Sequence, residues 1–335
     1  MKRFFPLVLL LMLLGCSKQT QPVGGPPSFE TVATGLNSPW SIAADEGQFF
    51  ISERTGTIVK VEPGSAITRD SVHLSQPLSN VAEAGLLGFV LHPDFHSSRL
   101  AYAYYTYDSN GSPINRIVTL AYDGDSWREQ DILLDNIRSG PVHHGGRLAL
   151  SPDGTLFATI GDGARPESAQ DPNEWNGKIL ALQADGSFHI FSLGHRNPQG
   201  LAWDTNGILF ASEHGQSAND EINVIVRGHN YGWPLIEGTE TRDGLEAPLL
   251  TSGPTETWAP SGMAFHKGLL YVAALRGQAI LVIDPDKAEI VDRMQGFGRV
   301  RDVYSDGRSL YFITNNTDGR GNPSQGDDRL IRFTP

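Results

Sequence analysis

One cysteine in 335 residues excludes an intramolecular disulfide, so a chain of this size must be held by a buried core. Basic residues are also scarce. The 26 Lys and Arg against 38 Asp and Glu leave a formal net charge of −12, which argues against a nucleic-acid partner, since that partner calls for a basic face. No 3.6-residue apolar periodicity is long enough for a sizeable helix, and the best helical stretch is short, residues 174–183. There is no P-loop, no G-x-G-x-x-G after a strand, no G-x-S-x-G and no H-E-x-x-H. These absences remove the commonest nucleotide, serine-hydrolase and zinc-protease chemistries. No apolar run reaches bilayer-spanning length. Residues 4–14, after Lys2 and Arg3, are too short to span and read as a secretory signal.

The lone cysteine ends that signal. Leu13-Leu14-Gly15-Cys16 resembles the bacterial lipoprotein signal, in which the thiol is lipidated and becomes the mature N-terminus. The expected organisation is a signal over 1–16, a Pro- and Gly-rich tether over 17–27, and one folded domain over 28–335. Two or more acyl chains would hold that domain on a membrane surface, outside the cytoplasm, without a spanning helix.

What is abundant is the turn. With 37 Gly and 21 Pro, the chain repeats one unit, clearest in PVHHGGRLALSPDGTLFATIGDG (141–163). Polar residues lead into a short apolar strand, an Asp-Gly turn supplies the positive φ a tight hairpin needs, and an alternating second strand follows. Copies start near 200, 262 and 301, and looser ones at Trp40 and Leu86. Six all-strand units spaced by about 40 to 60 residues predict an all-β, six-bladed β-propeller with one four-stranded sheet per repeat. Strand candidates at 28–35 and 329–334 would pair to close the ring and remove exposed edges.

In a propeller each blade starts at its innermost strand, so the residues preceding each repeat share one face around the central channel. Those residues are Asn37 to Pro39, Glu83, His143-His144, Arg196-Asn197, Pro260-Ser261 and Arg299 with Arg301. A histidine, a carboxylate and three arginines would converge. His143 is the expected general base, and Asp162 either orients its imidazole or simply closes the strand. Three arginine forks on one channel point to a ligand with several negative charges, with ion pairing among loops as the alternative. Glu213-His214-Gly215-Gln216, Asp220-Glu221 and Asn230 to Trp233 supply the hard oxygen donors that calcium takes. The stretch 315–328 reads as a solvated hairpin loop, with an ion site as the lesser reading.

HHGGRL, IGDG, RNPQGLAW, SEHG with DEIN, NYGWP, PSGMAF and GRVRDV, in this order, resemble the soluble glucose and aldose sugar dehydrogenases that use pyrroloquinoline quinone (PQQ). The resemblance implies a six-bladed propeller, an aldose substrate and an external electron acceptor. It makes His143 the base, sets Arg196, Asn197, Arg299 and Arg301 against the quinone, gives the carbonyls of Gly215 and Gln216 to the cofactor calcium, and assigns Glu221 and Tyr231 to a structural calcium. Three departures stand out. Glu83 occupies a position where the family has glutamine, Arg276 one where it has a lysine that reaches the quinone, and the segment after Pro234 is short. A calcium-dependent lactonase and a non-catalytic binding module remain as alternatives.

Overall fold

The computed structural model describes Met1, residues 27–62, residue 64 and residues 66–334. The signal, Cys16 and nearly all of the tether lie outside the described residues.

All six repeats are antiparallel hairpins. Their first and second strands are Pro39–Asp45 with Gln48–Glu53, Leu86–Leu91 with Leu100–Ser109, and Gly145–Leu150 with Leu156–Ile160. The other three are Pro198–Trp203 with Leu209–Glu213, Pro260–His266 with Leu269–Ala274, and Val300–Ser305 with Leu310–Thr314. Where the sequence offers Asp153-Gly154, Gly154 takes φ +84° and Ser151 N–H closes the turn on the Thr155 carbonyl at 2.9 Å.

Each hairpin extends outward. Among the described residues there are four four-stranded sheets and one of eight strands. The eight-stranded sheet forms because Thr68–His73, an outer edge, meets Ser126–Arg138 in parallel register from Ser71↔Ser126 to His73↔Arg128. The six first strands neighbour one another in a ring, and Pro39–Asp45 lies beside both Leu86–Leu91 and Val300–Ser305. Ser28–Ala33 pairs with Leu330–Thr334, so the chain start supplies an outer strand to the sheet that the chain end completes.

The second strands are buried on both faces, Leu156–Ile160 throughout, because each sheet packs between two others. Leu87, Tyr102 and Tyr104 meet Leu148, Ala158 and Ile160 at one such interface, and Phe157 and Ile179 meet Leu201 and Ala211 at the next.

Residues 174–183 are not helical. Gly177 takes φ +67°, and Lys178–Leu182 is a fully paired strand between Leu156–Ile160 and Phe188–Leu193, so the apolar alternation of KILAL overrides helix propensity. The helical elements described are one turn at Phe95–Ser98 and a 3-10 segment at Pro166–Gln170.

All six hairpins shift register near the start of the first strand, at Pro39/Ser41, Leu86/Phe89, Gly145/Leu148, Pro198/Gly200, Pro260/Met263 and Val300/Asp302. A bulge bends the strand and re-aims the side chains before it. The six bulges lie at one end of the ring, where five of the entry loops, at Glu83, His143, Arg196, Ala259 and Arg299, reach a common mouth.

Candidate active-site cleft

A cavity of about 460 Å³ opens at that mouth, lined among others by Glu83, His143, Arg196, Gly215, Gln216, Arg276 and Arg299. These seven expected residues, up to 216 positions apart, meet there because bulged entry loops and second-strand ends share one face.

His143 is the best-held group. Its Nδ1 lies 2.8 Å from Asp162 Oδ1, and Asp162, fully buried, also accepts Trp233 Nε1–H at 2.9 Å and the Ala164 N–H at 2.8 Å. A carboxylate so placed favours hydrogen on Nδ1, which leaves the Nε2 lone pair toward the cleft, where Arg196 Nη2 approaches to 3.0 Å. His143 adopts φ +62°, a left-handed conformation that costs a non-glycine residue about 1 kcal/mol. Two contacts fix it. Its N–H donates to Glu83 Oε2 at 3.2 Å, and Gly161 packs so tightly against its carbonyl that a Cβ there would overlap.

His144 faces the other way. It is buried, with Nδ1 2.7 Å from Ser139 Oγ and Nε2 3.3 Å from the Ala82 carbonyl, and burial pushes its pKa down to about 4. One histidine of the pair is thus a cleft group and the other a core group.

The arginines divide by depth. Arg276 is exposed at the rim, and Arg299 reaches Asp318 Oδ2 at 3.3 Å. Arg301 lies lower, lining a smaller cavity beneath, where its Nη1 donates to Gln199 Oε1 at 2.8 Å. Burial lowers the pKa of Arg196, Arg299 and Arg301, with Arg301, wholly enclosed, displaced furthest. Asn197 lies behind the cleft and accepts the Gly145 N–H at 3.0 Å. The donors Arg196 Nε, Arg301 Nε and Asn197 Nδ2 are shielded from solvent with no partner in the protein. Donors in excess of acceptors fit an acceptor-rich, polyanionic ligand.

Glu221 and Tyr231 line a separate small cavity beside the cleft, with Glu213 and Glu237. Burial, then the nearby Glu213, raises the Glu221 pKa to about 8, a state that a cation would relieve. The Tyr231 hydroxyl is engaged with the Val224 carbonyl at 2.5 Å and the Val226 N–H at 2.8 Å, so only its backbone remains to offer a ligand. Among the described residues no group of three or more His, Cys, Asp or Glu side chains is arranged around a metal position. Calcium here would depend on carbonyl oxygens together with carboxylates.

Sequence reasoning gave no role to Arg54, Asp318 or Arg320, and named His214 only within the run of calcium donors. Arg54 and His214 follow the second strands, whose ends share the face of the first-strand starts because the pairing is antiparallel. That signal was available. Asp318 and Arg320 sit in the 315–328 loop, which is solvent-exposed over 322–326 as expected but is anchored at its ends, where Asn315, Asn316 and Asp328 are buried and Asp328 accepts the Thr314 hydroxyl at 3.0 Å.

Residues 36–331 match the family model described as Glucose / Sorbosone dehydrogenase. The chain is 33% identical to quinoprotein glucose dehydrogenase B of Acinetobacter calcoaceticus over 64% of its length, spanning 54% of that protein. It is 29% identical to the aldose sugar dehydrogenase YliI of Escherichia coli, covering 94% of this chain and 95% of that one. The PQQ-bound form of aldose sugar dehydrogenase from Streptomyces coelicolor superposes with a TM-score of 0.83 at 37% identity, over 92% of this chain and 98% of that one. With all but the first 35 and last four residues matched, this chain belongs to the glucose/sorbosone dehydrogenase family.

Proposed function

We propose that the chain is a six-bladed propeller that oxidises the anomeric carbon of an aldose to the lactone, with hydride passing to PQQ held in the cleft with calcium. The observation that carries this reading is the His143 imidazole, fixed by a buried carboxylate and set beside donors that lack acceptors.

The residues fit the cofactor. Its carboxylates would be met by Arg196, Asn197, Arg299 and Arg301, the Gly215 and Gln216 carbonyls would hold one calcium, and Glu221 with the Tyr231 carbonyl a second. When bound, the quinone supplies the hydride acceptor and calcium a Lewis acid beside it.

This chain's own residues handle the proton and the charge. His143 Nε2 accepts the anomeric hydroxyl proton, and Asp162, on Nδ1, stabilises the imidazolium that forms. Arg196 Nη2, which caps Nε2 in the free cleft, yields that place to the sugar hydroxyl and stays close enough to stabilise developing negative charge. Arg276 lies at the rim of the cleft, and the Trp233 ring lies 5.4 Å from the Arg196 guanidinium carbon. The N-terminal residues support an extracytoplasmic domain lipidated at Cys16. Cys16→Ser should then move the protein from membrane to soluble fractions.

Reconstitution separates the reading from its rivals. Purified apoprotein should gain dye-linked aldose oxidation only with PQQ and calcium together. Lactone hydrolysis with calcium alone would favour a hydrolase, and neither activity a binding module.

A further inference from the structure

The Glu83 carboxylate, standing in a cleft proposed to hold a polyanion, is the least expected charge of the site. It does not stand alone. Arg320, 237 positions away, donates from Nη1 to Glu83 Oε1 at 2.9 Å, and its Nη2 lies 3.0 Å from Asp318 Oδ2, which also holds Arg299. Both Glu83 and Arg320 line the cleft and the smaller cavity beneath it. The other Glu83 oxygen receives the His143 N–H. Glu83 itself sits at φ +68°, so two left-handed non-glycine residues, Glu83 and His143, are bound to each other at the mouth. A continuous set of contacts therefore runs from Arg299 through Asp318, Arg320 and Glu83 to the backbone of His143.

We infer that Glu83 and Arg320 form one charge-neutral positioning pair, in which Arg320 cancels the carboxylate that a polyanion would otherwise meet and seats that carboxylate on the His143 amide. The inference rests on the proposed quinone reading. Burial works to protonate Glu83, but His214, Arg320 and the His143 N–H outweigh it and lower its pKa to about 2, which favours the carboxylate that Arg320 pairs with.

The pair has a signature that neither residue has alone. Arg320→Gln leaves the half-buried Glu83 carboxylate unpaired at the cleft mouth, against the ligand, and should weaken quinone binding roughly tenfold or more. Glu83→Gln leaves Arg320 on Asp318 with donors to spare, so quinone binding should tighten by about threefold or more. Turnover should nevertheless fall, because the neutral amide holds the His143 N–H less firmly. The double variant restores neutrality and should bind within about threefold of wild type, the non-additivity expected of directly coupled residues. Arg320→Lys, which keeps the charge, should recover most of the affinity that Arg320→Gln loses.

The test is an equilibrium titration of all five proteins with PQQ and calcium, followed by tryptophan fluorescence, and repeated with citrate, a tricarboxylate without redox chemistry. A double variant that binds near wild type, and tighter than the product of the two single effects would place it, supports the pair. If wild type binds quinone but Arg320→Gln binds as well, or the two single effects add, the pair is overturned and the dehydrogenase reading stands. If that non-additive pattern appears with citrate while no protein binds quinone, the dehydrogenase reading fails and the pair stands. Binding of neither ligand overturns both.

Discussion

In the hairpin Pro39–Asp45/Gln48–Glu53, Glu53 Oε1 accepts the Asn37 N–H at 2.6 Å, and in Val300–Ser305/Leu310–Thr314, Asn316 Oδ1 accepts the Arg299 N–H at 2.9 Å. Glu213 grips the Arg196 N–H in the same way. In each case a polar side chain at the end of the second strand clamps the backbone of the loop before the first. The hairpin at His143 departs from this. Its equivalent group, Asp162, binds the His143 ring instead of the backbone, and the His143 N–H is taken by Glu83 from the preceding repeat. A clamp whose backbone duty has moved to a neighbour is available to hold a side chain, and an oriented imidazole is what proton transfer requires. At this repeat position the backbone contact made by the other clamps is replaced by a contact to a side chain.

The largest effect should follow from removing the held group. His143→Ala should bind quinone and keep its melting temperature within a few degrees, yet lose roughly 10²- to 10⁴-fold in turnover, measured at saturating aldose. Asp162→Asn keeps the shape but not the charge, and should lose roughly 10²- to 10³-fold in turnover with quinone affinity retained. If Asp162→Asn lowered stability without lowering turnover, Asp162 would be one more backbone-type clamp and the contrast would vanish.

The clamps that remain structural should behave oppositely. Glu53→Ala strands the Asn37 N–H and the Arg69 guanidinium, now 2.9 Å from Glu53 Oε2, at a cost of about 1 to 3 kcal/mol. A thermal melt should show that loss, while turnover per folded molecule stays unchanged.

The smallest effect sharpens the contrast between the two adjacent histidines. His144 titrates at about 4 in the folded chain and near 6.5 when unfolded. The unfolded state therefore takes up a proton that the folded state refuses, so stability is present above pH 6.5 and is lost as pH falls toward 4. His144→Gln should flatten that part of the apoprotein's stability curve, read from melts between pH 7 and 4, and leave turnover at neutral pH nearly unaltered.

The hairpins were legible because Asp-Gly turns recur between apolar runs, and the cleft was legible because every first strand starts on the same face. His143, Glu83, Arg196 and Arg299 followed from that rule alone. The ends of the second strands share that face by the same antiparallel geometry, and Arg54 and His214 lie there. Arg320 lay beyond that rule altogether, since its place depends on a loop folding back over Asp318, which composition presents as polar and turn-rich. The register shifts that aim the loops leave no residue signature in this chain, because they arise from pairing between strands.

The central claim is that a carboxylate-held His143 and a cleft rich in unpaired donors serve quinone-linked aldose oxidation. The most direct measurement is the absorption spectrum of purified protein mixed with stoichiometric PQQ and calcium, recorded before and after an aldose is added without any external acceptor. The account predicts a protein-bound quinone spectrum that converts to the reduced form within mixing time in wild type and stays oxidised in His143→Ala. A bound quinone that no aldose reduces in wild type, or an equal reduction rate in His143→Ala, would contradict it.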